Sequence, residues 1–111
     1  VAATPTTAPA PSREGEGTAK TIAVSIVEPP FKPPSTWKFD PSVITVTMGT
    51  RIVWTNDGAV VHTATDAKTN LFDSGDIAPR ASFSYTPKSP GVIEYVCIYH
   101  SWMTGTITVI P

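Results

Sequence analysis

From Thr21 onward, short runs that alternate β-branched or aromatic residues with small or polar ones recur along the chain, each cut off by proline, glycine or asparagine. The first run, Thr21–Val27 (Thr-Ile-Ala-Val-Ser-Ile-Val), predicts a strand. Glu28-Pro29-Pro30-Phe31-Lys32-Pro33-Pro34-Ser35 ends it, since proline has no N–H for a ladder, and predicts a long surface loop. Phe39-Asp40-Pro41 leads into Val43–Thr47, which pairs in pattern with Arg51–Thr55 around the turn Met48-Gly49-Thr50. Asn56-Asp57-Gly58 is the kind of turn that joins antiparallel strands, and a further strand is expected over Ala59–Thr65 with His62 inside it. Leu71–Gly75 predicts a short strand and turn. Ala81–Thr86 places Phe83 and Tyr85 two apart, the period of a half-buried strand. After Pro87-Lys88-Ser89-Pro90-Gly91, the runs Val92–Val96 and Thr104–Ile110 predict two closing strands that flank residues 97–103.

No window holds a helical period of useful length. Seven to eight short strands parted by turn residues predict an all-β sandwich or barrel. Trp54 and Phe83 fall at core positions, Met48 at the core or sheet edge, and Tyr95 and Tyr99 as packing residues beside the segment 97–103. Before the first strand, residues 1–19 are mostly Ala, Thr and Pro followed by Ser12-Arg13-Glu14-Gly15-Glu16-Gly17. Such a composition cannot bury enough apolar surface to offset its ordering entropy, so a flexible tail or linker is expected there, with one domain over residues 20–111.

Composition narrows the function. A length of 111 residues suits a single domain. The formal net charge is −1 with no block of like charge, which argues against nucleic acid as a partner. No apolar run is long enough to span a bilayer, and no charged and apolar leader opens the sequence. A single cysteine excludes an internal disulfide.

That cysteine is the centre of the candidate chemistry. Cys97-Ile98-Tyr99-His100-Ser101-Trp102-Met103 holds the one cysteine, one of the two histidines and one of the two methionines. The other histidine, His62, lies far upstream in an apolar run. A lone cysteine is ordinarily a small buried hydrophobe, and a lone histidine in a strand a satisfied core residue. Cys97, His100 and Met103 at regular short spacing, with His62 as a second imidazole, favour ligation instead. A thiolate, two imidazoles and a thioether suit a copper ion cycling between Cu(I) and Cu(II). Zinc structural sites favour more thiolates or four strong ligands. A strand would send these side chains to opposite faces, so a tight loop is expected, with Cys97 inward and His100 at the rim. A Cys–His nucleophile pair would lack substrate access there, and Ser101 beside His100 is no triad.

The run Cys97-x-x-His100-x-x-Met103, with His62 upstream and Tyr95 two residues before the cysteine, resembles the cupredoxins, and its short loop is most similar to their amicyanin-type, plastocyanin-like branch. The likeness covers roughly Thr21 to Ile110. It implies a Greek-key β-sandwich and one type 1 copper ion bound by His62, Cys97 and His100, with Met103 axial. It also implies single-electron transfer in the periplasm or another extracytoplasmic space, with transient redox partners docking near His100. The export signal or anchor is then no part of this sequence, and the tail at residues 1–19 offers a possible membrane tether. Three residues depart from the pattern: Thr63 stands where asparagine is usual, Ser101 where proline is common, and bulky Trp102 adjoins Met103. Two functions remain open. One is an electron carrier with no substrate of its own, docking through an apolar patch of Gly58, Ala59, Val60, Ser101 and Trp102. The other is a small copper redox enzyme, or a detached domain of one, in which Met103 leaves an open axial position for a small molecule such as a nitrogen oxide.

Overall fold

The computed structural model describes residues 20–111, so the tail expected over residues 1–19 lies outside the described residues. Seven strands are present among them: β1 (Thr21–Val27), β2 (Lys38–Asp40), β3 (Val43–Thr47), β4 (Arg51–Asn56), β5 (Ser82–Tyr85), β6 (Gly91–Cys97) and β7 (His100–Ile110). One sheet has the order β2-β1-β4-β5 and the other β3-β7-β6. β1 runs parallel to β4 and β3 parallel to β7, while the β1–β2, β4–β5 and β6–β7 pairs are antiparallel. The connections from β2 to β3, β3 to β4 and β5 to β6 each pass from one sheet to the other. This is the expected all-β sandwich.

Parity along each strand decides what enters the core. Val24 and Ile26 of β1, Ile44 and Val46 of β3, and Ile52 and Trp54 of β4 are buried at alternate positions. Each such aliphatic side chain stabilises the fold by about 1.5–3 kcal/mol. Aromatic rings knit the two sheets: Tyr95 of β6 packs edge-on against Phe39 (centroids 4.7 Å apart) and Trp54 (5.4 Å), and Phe72 stacks on Tyr85 (4.8 Å). On β6 the inward series is Ile93, Tyr95, Cys97, so the strand's own period delivers the cysteine to the core face. On β7 the inward series Val109, Ile107, Gly105, Met103 does the same for the methionine.

Several boundaries differ from the sequence expectation. Ala59–Thr65 is no strand; it makes only isolated bridges, His62 to Ile77 and Thr65 to Asp73 and Val96. Leu71–Gly75 likewise contributes only the Asp73 bridge. Isolated backbone pairs and side chains, not a ladder, satisfy this stretch: His62 exchanges both backbone bonds with Ile77, and buried Asn56 donates to the carbonyls of Val60 (2.8 Å) and Ile77 (2.9 Å). The last strand begins at His100 rather than Thr104, because Cys97 pairs directly with His100 across the turn Ile98-Tyr99. The short strand β2 was not foreseen. Met48, expected in the core or at an edge, is 42% exposed beside the β3–β4 turn.

Candidate metal centre

Four segments meet at one end of the sandwich. β1 and β4 run parallel, with Ile26 opposite Asn56, and Val27 faces Lys38 of β2. Glu28, Trp37 and the segment after Asn56 therefore emerge at the same end. The β6–β7 hairpin closes there as well. Its register jumps: Cys97 pairs with His100, but Val96 pairs with Thr104. Ser101, Trp102 and Met103 are thus extra residues on β7, a bulge that leaves Ser101 and Trp102 exposed and turns Met103 into the core, fully buried.

Within this end the side chains of His62, Cys97 and His100 converge, each offering one donor atom, all within 4.8 Å of one another. Both imidazoles present Nδ1 to the sulfur: Cys97 Sγ lies 3.7 Å from His62 Nδ1 and 3.4 Å from His100 Nδ1. Imidazole and thiolate bonds to a first-row divalent ion measure about 2.0 and 2.3 Å, which for a trigonal centre separates N from S by about 3.7 Å. Both N–S separations lie within about 0.3 Å of that value, so the sulfur and the two rings are spaced as donors to such an ion would be. Cys97 and His62 are fully buried, whereas His100 is only half-buried, at the rim. These are the positions expected from the sequence.

Burial by itself would push the Cys97 thiol up. The neighbouring His62 ring, the N–H groups of Thr63 and Tyr99, and the His100 ring outweigh it and bring the group down to about 6. The thiolate, the metal-binding form, is therefore stabilised by the surrounding donors. At His62, burial works against the charged ring, and contacts with Cys97 and Glu28 reverse this to raise its pKa.

Thr63 performs the tie that asparagine would otherwise make. Its N–H donates to Cys97 Sγ (3.4 Å) and its hydroxyl accepts from the N–H of Ile98 (3.0 Å). A paired bridge between Thr65 and Val96 (N–H···O 3.0 and 2.9 Å) continues the seam. Three contributors were not legible in the sequence. Asn56 read only as a turn residue, yet its amide holds the loop that carries His62. Trp37 sets its indole edge-on to both imidazoles, with centroids 5.7 Å from His62 and 5.2 Å from His100. Glu28, at the head of the proline-rich loop, lies 2.7 Å from His62 Nε2. Its carboxyl is lowered: burial opposes ionisation, but the N–H groups of Ala59 and Val60 and the His62 ring favour it more. No signal short of the fold links position 28 or 37 to position 62.

No protein-family model and no curated protein matches the chain. Solved structures do. A purple cupredoxin from Nitrosopumilus maritimus is 26% identical over 79% of this chain and 98% of its own, with a TM-score of 0.68. A reduced tryptophan-to-tyrosine variant of amicyanin superposes with a TM-score of 0.70 at 20% identity, covering 81% of this chain and 82% of that one. An amicyanin variant in its Cu(I) form gives the same score, identity and coverage. The sandwich topology thus agrees with these likenesses, and the chain is a cupredoxin-like protein.

Proposed function

We propose that the chain is a type 1 copper protein that carries single electrons between larger redox proteins outside the cytoplasm, with His62, Cys97 and His100 as in-plane ligands and Met103 as the axial one. The convergence of one thiolate and two Nδ1 atoms within 4.8 Å carries this reading. Bound there, copper supplies a one-electron couple between Cu(II) and Cu(I).

The chain's own residues keep the donors in place while charge changes. Thr63 ties the two ligand-bearing segments, and Trp37 packs against both imidazole rings, so neither ring is free to swing as an electron arrives. Full burial of Met103 and the indole across the imidazoles leave little access for a small molecule, which supports a carrier over a small-molecule redox enzyme. His100 is the half-buried ligand, and the route in or out runs through its ring. Around it and beside His62 stand exposed apolar side chains: Val60 and Val61 on one segment, and Ile98, Tyr99 and Trp102 on the hairpin. Trp102 lies 5.3 Å from His100 between ring centroids. A redox partner docks there over a small, short-lived interface. The net charge of −1 makes apolar contact, not steering, the main term. Among the described residues, no helix is long and apolar enough to cross a membrane.

Metal analysis with visible absorption tests the proposal. One copper per chain and an intense thiolate-to-copper band that ignores added azide are expected, and Cys97→Ser is expected to abolish the band. A Cys97→Ser protein that keeps its colour would refute the ligand assignment.

A further inference from the structure

We propose that Glu28 is the positioning residue for His62, holding the imidazole in the single tautomer and orientation that aim Nδ1 at the sulfur of Cys97. The inference rests on the copper reading only in calling that Nδ1 a ligand.

Glu28 stands at the end of β1 and is separated from His62 by a proline-rich loop and three strands. Its carboxylate accepts from three directions: Oε1 from the Ala59 N–H (2.9 Å), and Oε2 from the Val60 N–H (3.1 Å) and the ring nitrogen Nε2 of His62 (2.7 Å). An ionised carboxylate only accepts, so Nε2 must carry the proton, and the neutral ring then leaves the Nδ1 lone pair free. That atom is the one 3.7 Å from Cys97 Sγ. The same two oxygens fix the ring and the backbone just before it. Gly58 makes the approach possible: a Cβ there would fall 2.2 Å from Glu28 Oε2. Trp37, at the far end of the same loop, packs edge-on against the ring and opposes its rotation. The Glu28 side chain is 11% exposed and that of His62 fully buried, so water competes little for the bond.

Two consequences follow. Carboxylate partners of metal-bound histidines set ring orientation and raise ligand basicity, and their removal typically costs about 10–100-fold in metal affinity. A negative charge behind the ligand also favours the more highly charged oxidation state, so losing it raises the reduction potential.

Long-range ¹H–¹⁵N NMR of the His62 ring, on both the metal-free and the Cu(I)-loaded protein, reads the tautomer directly. Competition against a colorimetric Cu(I) chelator reads affinity. In wild-type protein the neutral His62 ring is expected to show one tautomer, Nε2–H. Glu28→Ala is expected to lose that single tautomer and about 10–100-fold in Cu(I) affinity. Gly58→Ala, which displaces the carboxylate without altering any charge, moves both in the same direction. Glu28→Gln retains an acceptor; it restores the tautomer and most of the affinity while the potential rises. A Glu28→Ala protein with an unchanged tautomer and affinity within about twofold of wild type overturns the proposal. Should wild-type protein take up no copper, the copper reading fails, and the tautomer in metal-free protein still decides the role of Glu28.

Discussion

The two halves of the donor set are built by opposite means. Cys97 and His100 belong to one hairpin, face each other across a two-residue turn and are held by the β6–β7 ladder, which is interrupted only by the bulge at Ser101–Met103. His62 lies on a segment with isolated bridges only, kept in place by Asn56, Thr63 and, from across the sequence, Glu28 and Trp37. Backbone pairing is redundant, since the loss of one bond leaves its neighbours. Side-chain ties are singular. The hairpin half should therefore tolerate substitutions that the His62 half does not.

The largest effect is expected at Asn56. Its amide donates to two carbonyls and its oxygen accepts the Gly58 N–H at 2.9 Å, all around a fully buried side chain. Asn56→Ala leaves buried backbone groups without partners and should cost about 2–4 kcal/mol, measured by denaturant unfolding. His62 resonances should broaden or shift while those of the Cys97–His100 hairpin stay. Equal disturbance of both halves would defeat the contrast.

Gly105→Ala probes the other half. Gly105 faces Tyr95 in register, and a Cβ there would fall 2.2 Å from the ring's Cζ. Tyr95 is 3% exposed and hemmed in by Phe39 and Trp54, so the ring has nowhere to go. Overpacking of this kind costs about 1–3 kcal/mol. Because Tyr95 is two residues before Cys97, the thiolate-to-copper band should shift while the His62 tautomer does not.

The same division explains what the sequence disclosed. Cys97 and His100 were legible because their spacing is local and the period of β6 carries Cys97 inward. The strands were legible wherever one face is buried, as in Ile52–Trp54 or Ile93–Tyr95. Ala59–Thr65 looks like a strand for the same reason, being apolar and β-branched; bonds from Asn56 to the Val60 carbonyl and from the Ala59 and Val60 N–H groups to Glu28 stand there in place of a ladder. His62 was identified by scarcity, as the only other histidine. Glu28 and Trp37 could not be found, since a carboxylate before two prolines and an indole after a turn gain meaning only when β1, β2 and β4 lie side by side. The bulge at Ser101–Met103 was hidden too, because Thr104 marks the start of a strand by pattern while the ladder begins at His100.

A smaller effect is expected where the halves are joined. Thr63→Val removes the acceptor for the Ile98 N–H and the partner of the Thr65 hydroxyl (both 3.0 Å), but keeps the N–H that donates to Cys97 Sγ. A loss of about 1–2 kcal/mol is expected, with Thr63→Ser close to wild type. If the hydroxyl is the tie, Val should also loosen the hairpin turn, seen as faster amide exchange at Ile98, and Ser should not.

The smallest effect concerns acid. Asp66, 1% exposed at the end of the His62 segment, accepts from the N–H groups of Lys68, Thr69 and Leu71 and from the Thr69 hydroxyl. Burial opposes its ionisation, but these donors outweigh it and hold the carboxyl below its usual 3.8. A carboxyl lowered on folding stabilises the native state above its unfolded pKa, and that stability is lost as pH falls through the folded value. The expected window is therefore below about pH 4. Asp66→Asn should flatten the decline there, read from unfolding at pH 5 and pH 3. Acid should also raise amide exchange over residues 62–72 before it does so in the hairpin. The hairpin's one carboxylate, Glu94, is exposed and pairs outward with Lys68, whereas the loop beyond His62 is folded around a buried one.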